Sequence, residues 1–476
     1  MKRKTVLAVD LGAESGRVMA AHFDGAGLAL EELYRFPNVA VEVRDTLYWD
    51  SLRLWSEIQA GIEIGKAHRP ASIGVDTWGV DFGLLDKAGD LLGNPVCYRD
   101  KRTEGMMELA FDQVPKEQIF SRTGIQFMRI NTLYQLLSLV DSDSPLLQAA
   151  HTFLTTPDLL NYWLTGEKAN EYTIASTTQM LDAQTRCWAV DLLMELGIPT
   201  QIFPVVVFPG TRLGAFEGIP VIAPACHDTG SAVAATPTKT VAFGYISSGT
   251  WSLVGIETKQ PYLGPDALAA NVTNEGGLDG SVRLLSNVVG LWLVQQCRAT
   301  WQKAGREYDY GELVRLAEAA PPLSSFIDPC STEFLLPGDH PALVRAFCAR
   351  TGQPVPESEG AVIRTILESL ALEYRAVFEQ LVKLTGINLE VIHILGGGSQ
   401  NHLLNQMTAD ATGLPVVAGP VEATVMGNAL VQLISLGELK DLQEARQLVA
   451  QSGQLIRFEP QQTPLWEEAY QQYWAR

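Results

Sequence analysis

The sequence predicts an α/β protein made of two similar halves. Three observations carry that expectation: a meander of short strands that runs into an amphipathic helix and a further strand, a return of the same theme about half a chain later, and glycine-bearing turns placed directly after apolar strands. At 476 residues the chain is long enough for about three domains of roughly 150 residues, or two large ones.

The elements follow in order. Thr5 to Asp10 reads as an apolar strand, Leu11 to Gly16 as a turn, Arg17 to Phe23 as an alternating strand, and Leu28 to Phe36 as its continuation after Gly25-Ala26-Gly27. Between Asp50 and His68, Leu52, Leu54, Trp55, Ile58 and Ile62 are spaced for one helix face, and Ser72 to Val75 returns as a strand. Downstream, Thr240 to Ser247 and Trp251 to Ile256 flank the turn Ser248-Gly249-Thr250, so Ser247 stands where Asp10 stood, 237 residues earlier. Gly360 to Leu384 predicts a long amphipathic helix closed near Gly386. A buried strand, Leu389 to Leu395, then enters Gly396-Gly397-Gly398-Ser399; helices are expected over Asn401 to Ala411 and Thr424 to Leu436. Thr236-Pro237-Thr238-Lys239 marks the boundary, giving domains 1–238 and 239–476, and the Pro-, Ser- and Gly-rich stretch Pro321 to Pro356 is expected to decorate the surface or an inter-domain rim.

Composition excludes several classes. Apolar residues at 46% and charged residues at 19% describe an ordinary globular chain. Its net charge of −19 repels polyanions, which argues against a general nucleic-acid or anionic-membrane surface, so a phosphate ligand needs a local device. The basic start Met1-Lys2-Arg3-Lys4 is followed by an apolar stretch, Val6 to Val9, too short for a signal peptide, and no apolar run approaches the ~20 residues of a spanning helix. A cytoplasmic monomer or homodimer is expected. The six cysteines are far apart and read as buried free thiols; no two histidines lie at metal-ligand spacing.

Four turns could do chemistry. Asp10 to Arg17 could gather backbone N–H donors around phosphate, with Asp10 at its rim for Mg²⁺, or be a plain hairpin. Ser247 to Thr250 offers the same choice. In Gly396-Gly397-Gly398 three glycines favour close approach by something flat or charged over simple strand-helix packing. Asp228, in Cys226-His227-Asp228-Thr229-Gly230, could take a proton from a hydroxyl or cap a helix over Ser231 to Ala235. Trp78, in Asp76-Thr77-Trp78-Gly79-Val80-Asp81-Phe82, could stack on a sugar or sit in the core.

Taken together, these segments resemble the FGGY carbohydrate kinases of the actin, hexokinase and heat-shock chaperone fold, and within them the L-rhamnulose kinases. The resemblance spans roughly Thr5 to Glu438 and rests on Ala8 to Arg17, Asp76 to Phe82, His227 to Gly230, Ser248 to Trp251, Asn274 to Gly277, Asn287 to Trp292, and Gly396 to Asn401 with Gly427-Asn428-Ala429. It implies two similar domains with a cleft between them, and ATP with Mg²⁺ as cofactors. It implies further that Asp228 is the proton acceptor, that Gly79, His227, Asp228, Thr229 and Asn287 contact the sugar, and that Asp10 holds the metal. Nucleotide contacts would be Ala13, Glu14, Ser15, Gly16, Arg17, Thr250, Gln295 and Gly397. L-Rhamnulose is the substrate the resemblance favours; L-fuculose or D-xylulose, and a non-catalytic nucleotide switch, are the alternatives.

Overall fold

The computed structural model describes residues 3–452 and 455–474, and the chain separates into two compact units. The first comprises Met1–Pro237, Glu257–Leu284 and Ala423–Ser452; the second comprises Thr238–Ile256, Leu285–Glu422 and Gly453–Arg476.

In the first unit, β1 (Lys4–Leu11), β2 (Ser15–Phe23) and β3 (Leu28–Pro37) form the expected antiparallel meander. Helix α1 (Ser51–Gly65) starts at Asp50, whose side chain accepts from the Arg53 N–H, and leads into β4 (Ile73–Thr77), which lies parallel to β1 with Asp10 opposite Asp76. The sheet is completed by β5 (Arg212–Phe216) and β6 (Ile219–Ile222), in the order β5-β6-β4-β1-β2-β3. Its core includes Leu7, Val9, Leu11, Val18, Ile58, Ile62 and Val75, all shielded from solvent. Between β4 and β5 the chain alternates short helices with loops and a few short strands. After β6 comes α2 (Asp228–Ala234).

The second sheet repeats the arrangement. It contains β7 (Phe243–Ser248), β8 (Trp251–Thr258), β9 (Thr273–Gly276) and β10 (Val282–Val289), followed after helices α3 (Trp292–Lys303), α4 (His340–Arg350) and α5 (Glu359–Thr385) by β11 (Val391–Leu395). Next are α6 (His402–Thr412), β12 (Val416–Ala418), α7 (Ala423–Ser435) and β13 (Ile456–Phe458). The order is β9-β10-β8-β7-β11-β12-β13, in which β7 pairs antiparallel with β8 and parallel with β11, as β1 does with β2 and β4. Ser247 thus occupies the place of Asp10. α5 is capped by Ser358, which accepts from the Ala361 N–H, and closed by Gly386 at φ 73, the left-handed turn a side chain resists.

Three expectations need correction. The Pro321 to Pro356 stretch is not surface decoration: it contains α4 and fully buries Phe334, Val344 and Cys348, because apolar residues scattered among its prolines reach the core. Two of the six thiols, Cys187 and Cys330, are exposed, although all six are free. His22 and His68, 46 residues apart in sequence, come together with ring centroids 5.4 Å apart. Among the described residues, no helix is long and apolar enough to cross a membrane.

Candidate active site

The first unit gathers most of the expected reacting residues. Asp10 ends β1 nearly buried, and Arg17, its partner across the β1–β2 register, donates to Oδ2 from Nε at 2.9 Å and from Nη2 at 2.8 Å. The turn between them is closed by the Gly12 N–H on the Ser15 carbonyl and braced by Asn38, whose N–H donates to the Glu14 carbonyl and whose Nδ2 donates to the Gly12 carbonyl, each at 2.9 Å. Ala13 and Ser15 are partly open and Glu14 is exposed, so their backbone is accessible; Gly16 is buried, where a Cβ would lie 2.3 Å from the Phe36 ring. The glycine at that position therefore serves packing.

Asp228 does not cap a helix over Ser231 to Ala235. The helix begins at Asp228 itself, with His227 in the cap position, so the carboxylate sits on the first turn and its Oδ1 accepts from the Thr229 N–H at 2.5 Å and hydroxyl at 3.2 Å. Its side chain is 28% exposed, enough for a substrate atom to reach. Burial pushes its carboxyl above the usual value and the Asp10 charge adds to this, while His227 opposes.

His227 is clamped from behind. Its Nε2 lies 3.4 Å from Asp228 Oδ1, while Nδ1 lies 3.2 Å from Glu275 Oε2 and 3.0 Å from Arg283 Nη2. Arg283 also reaches Glu275 Oε2 at 3.0 Å and donates from Nε to the Gly276 carbonyl. Both partners are buried. Burial would raise the Glu275 carboxyl, but Arg283 and then His227 bring it below its usual value, so the pair is a true buried ion pair with an imidazole between it and Asp228. The backbone that presents this group is held by Glu171, which accepts from the Cys226 N–H, and by Thr173, which accepts from the His227 N–H. Gly79 lies alongside: a Cβ there would be 3.5 Å from His227 Nε2 and 3.2 Å from the Thr177 hydroxyl. Thr229 is buried.

Asp76, opposite Asp10, is completely buried. Burial foremost and the Asp10 charge next raise its carboxyl well above the usual value, against a 2.6 Å hydrogen bond donated by Asn428 Nδ2. Asn428 belongs to α7, which packs on α2 so closely that a Cβ on Gly427 would sit 1.7 Å from the Ser231 carbonyl oxygen. Gly427-Asn428-Ala429 is thus a packing and bracing segment of the first unit. Trp78 takes the core alternative: it is buried 4.5 Å from Trp49 and donates to Asp81 Oδ2.

The second unit groups the other candidate phosphate turn with the glycine triplet. Ser248 and Gly249 are fastened by the Gly249 N–H on the Trp251 carbonyl, and the Thr250 carbonyl accepts from Gly290 and Trp292. The Thr250 hydroxyl lies 3.4 Å from Gln295 Oε1 on α3. Gly396 and Gly398 press against Ser248, where a Cβ on Gly398 would be 2.0 Å from the Ser248 hydroxyl; Gly397 is exposed with open space in front of it. One triplet therefore combines close packing with a bare backbone. Asn287 stands partly buried on β10 and belongs to this unit, whereas His227 belongs to the first.

Sequence reasoning missed Arg283, Asn38 and the Glu171–Thr173 support. A charged residue inside the apolar run Val282 to Leu285 was the available signal for Arg283.

Residues 5–232 match the N-terminal domain of the FGGY family of carbohydrate kinases, and residues 244–436 match its C-terminal domain. The chain belongs to this family. Similar proteins include a rhamnulokinase of Bacteroides thetaiotaomicron, 45% identical over 98% of both chains, and one of Oceanobacillus iheyensis, 40% identical over 95% of this chain and 97% of that one. Among solved structures, a ligand-bound xylulose kinase from Lactobacillus acidophilus superposes with a TM-score of 0.80 at 17% identity, covering 99% of this FGGY kinase and 97% of the other chain. That likeness bears out the α/β fold class of two similar halves.

Proposed function

We propose that this FGGY kinase transfers the γ-phosphoryl group of ATP to the primary hydroxyl of L-rhamnulose, giving L-rhamnulose 1-phosphate and ADP, and that it works in the cytoplasm, where ATP is supplied. The observation that carries the choice of sugar is the 45% identity, over 98% of both chains, with a protein named rhamnulokinase.

Phosphoryl transfer asks the protein mainly for position and charge. In this reading Asp228 accepts the proton of the attacking hydroxyl as the oxygen bonds to phosphorus, and its raised affinity for a proton suits that role. His227, Thr229, Gly79 and Asn287 hold the sugar. Ala13 to Arg17, Thr250, Gln295 and Gly397 contact the nucleotide, through backbone where Arg17 is already engaged with Asp10. We assign the sugar and the base to residues 1–238 and the second phosphate turn and glycine triplet to 239–476, in keeping with the two family matches. Asp10, Asp76 and Asp228 raise the cost of one another's charge, and an all-oxygen donor set of that kind fits Mg²⁺. Asp10 would hold it, directly or through water; when bound it supplies charge neutralisation at the phosphates.

The test is ADP release measured with L-rhamnulose, L-fuculose and D-xylulose under saturating Mg-ATP. The highest kcat/KM is expected for L-rhamnulose. A higher value for either other ketose, or ADP release independent of sugar, overturns the proposal.

A further inference from the structure

Three side chains distant in sequence meet at the opposite end of β1 from Asp10. Thr5, five residues before Asp10, is about 16 Å up the strand at the ordinary rise per residue. Its hydroxyl lies 2.9 Å from His22 Nδ1 on β2, and His22 Nε2 lies 3.0 Å from Glu31 Oε2 on β3. Ala20 is paired with Glu31 and His22 with Ala29, so His22 and Glu31 are diagonal neighbours on one face of the sheet. α1 packs on this face, with Gly61 against Val18, and continues into the single turn Lys66–His68, which delivers His68 beside His22. One donor atom from each of His22, Glu31 and His68 lies within 4.8 Å of the other two.

We propose that His22, Glu31 and His68 bind a divalent transition-metal ion, Zn²⁺ foremost, which ties the β2–β3 hairpin to the end of α1. Two imidazoles and a carboxylate are the donor set of borderline ions such as Zn²⁺, whereas Mg²⁺ prefers oxygen alone. The Thr5 hydroxyl fits as the outer partner of a ligating imidazole: with the Nδ1 proton directed to it, the Nε2 lone pair faces Glu31 and the ion. Water completes the coordination. Ligands about 2.0–2.1 Å from zinc stand roughly 3.3 Å apart, so donors lying within 4.8 Å of one another have to close by about 1.5 Å at most. The mobile partners are suited to this, since Glu31 is exposed and His68 partly so, while His22 is buried and fixed.

Equilibrium binding of Zn²⁺ to the full chain, with excess Mg²⁺ to occupy all-oxygen sites, tests the proposal. One equivalent should bind, and His68→Ala and Glu31→Gln should each weaken binding by about tenfold or more. Co²⁺ substituted at the site should show a visible absorption band that both variants lose, and Zn²⁺ should raise the thermal midpoint of the parent protein but not of the variants. Kinase turnover in Mg-ATP buffer free of transition metals reports that the variants are folded, because neither residue belongs to the site around Asp228. No saturable Zn²⁺ binding, or binding in both variants as tight as in the parent, overturns the inference.

Discussion

Arg17 holds Asp10 with two nitrogens on a single carboxylate oxygen, across paired strands at the mouth of the first turn. The guanidinium fixes the carboxylate's direction and offsets part of its charge, and the role proposed for Asp10 is to hold Mg²⁺. Asp10→Ala is expected to lower kcat on the order of 10²-fold while the KM for sugar stays near that of the parent. Steady-state kinetics varying each substrate checks this, and a defect confined to sugar KM would contradict it.

Asp228→Asn keeps the shape of the side chain and removes its capacity to take a proton. Since Asp228 does not occupy the cap position of α2, the helix loses little, and the thermal midpoint should hardly move. Turnover is expected to fall 10²- to 10⁴-fold, on the order seen for loss of general base catalysis, with sugar affinity retained. Near-normal turnover would remove Asp228 from the mechanism.

Glu275→Gln leaves the wholly buried Arg283 without its counter-charge. Breaking one side of such a pair costs roughly 3–5 kcal/mol, and His227 loses its rear support. The expected result is a lower thermal midpoint together with a raised sugar KM. A variant with parent-like stability would show that the pair is not the anchor described.

A pH signature follows from Asp81, whose carboxyl burial pushes up to about 6 against hydrogen bonds from Trp78, Trp49 and Gln135. Unfolded, an aspartate titrates near 4, so between about pH 4 and 6 the folded chain binds the extra proton. Its contribution to stability is therefore present at low pH and is lost as pH rises through about 6, by on the order of 3 kcal/mol. Thermal midpoints across this range should decline with pH more steeply in the parent than in Asp81→Asn. Equal slopes would refute the assignment.

Gly398→Ala places a methyl group against the Ser248 hydroxyl at the second phosphate turn. Overpacking of this kind costs roughly 1–3 kcal/mol of stability, and because the displaced Ser248 belongs to the turn proposed to meet the nucleotide, the KM for ATP is expected to rise with sugar KM unchanged. A change in sugar KM alone would argue against the nucleotide role of this turn.

Much of the frame was legible because local signals and tertiary structure agree. The β1–β2–β3 meander shows as alternation punctuated by glycine, and α5 as a three- and four-residue apolar repeat with Gly386 at its end. The start of α2 was misplaced because His227 and Asp228 follow apolar residues without a side-chain cap to mark the helix. The Pro321 to Pro356 stretch was misread because composition does not report which of its few apolar residues turn inward. Arg283 with Glu275 and His22 with His68 are products of long-range pairing, which no local window contains.

Asn428 reaches Asp76 across 352 residues of chain, and its helix covers α2 and the strand that ends in the candidate metal-binding aspartate. During synthesis the ribosome makes the first unit's sheet early but its covering helix only after residue 423, tens of seconds later at about 5–20 residues per second. Until then Asp76 and the back of α2 are open to water or to other chains. A nascent polypeptide halted at residue 238 should consequently be a chaperone client prone to aggregation, and supplying residues 423–452 in trans should protect it.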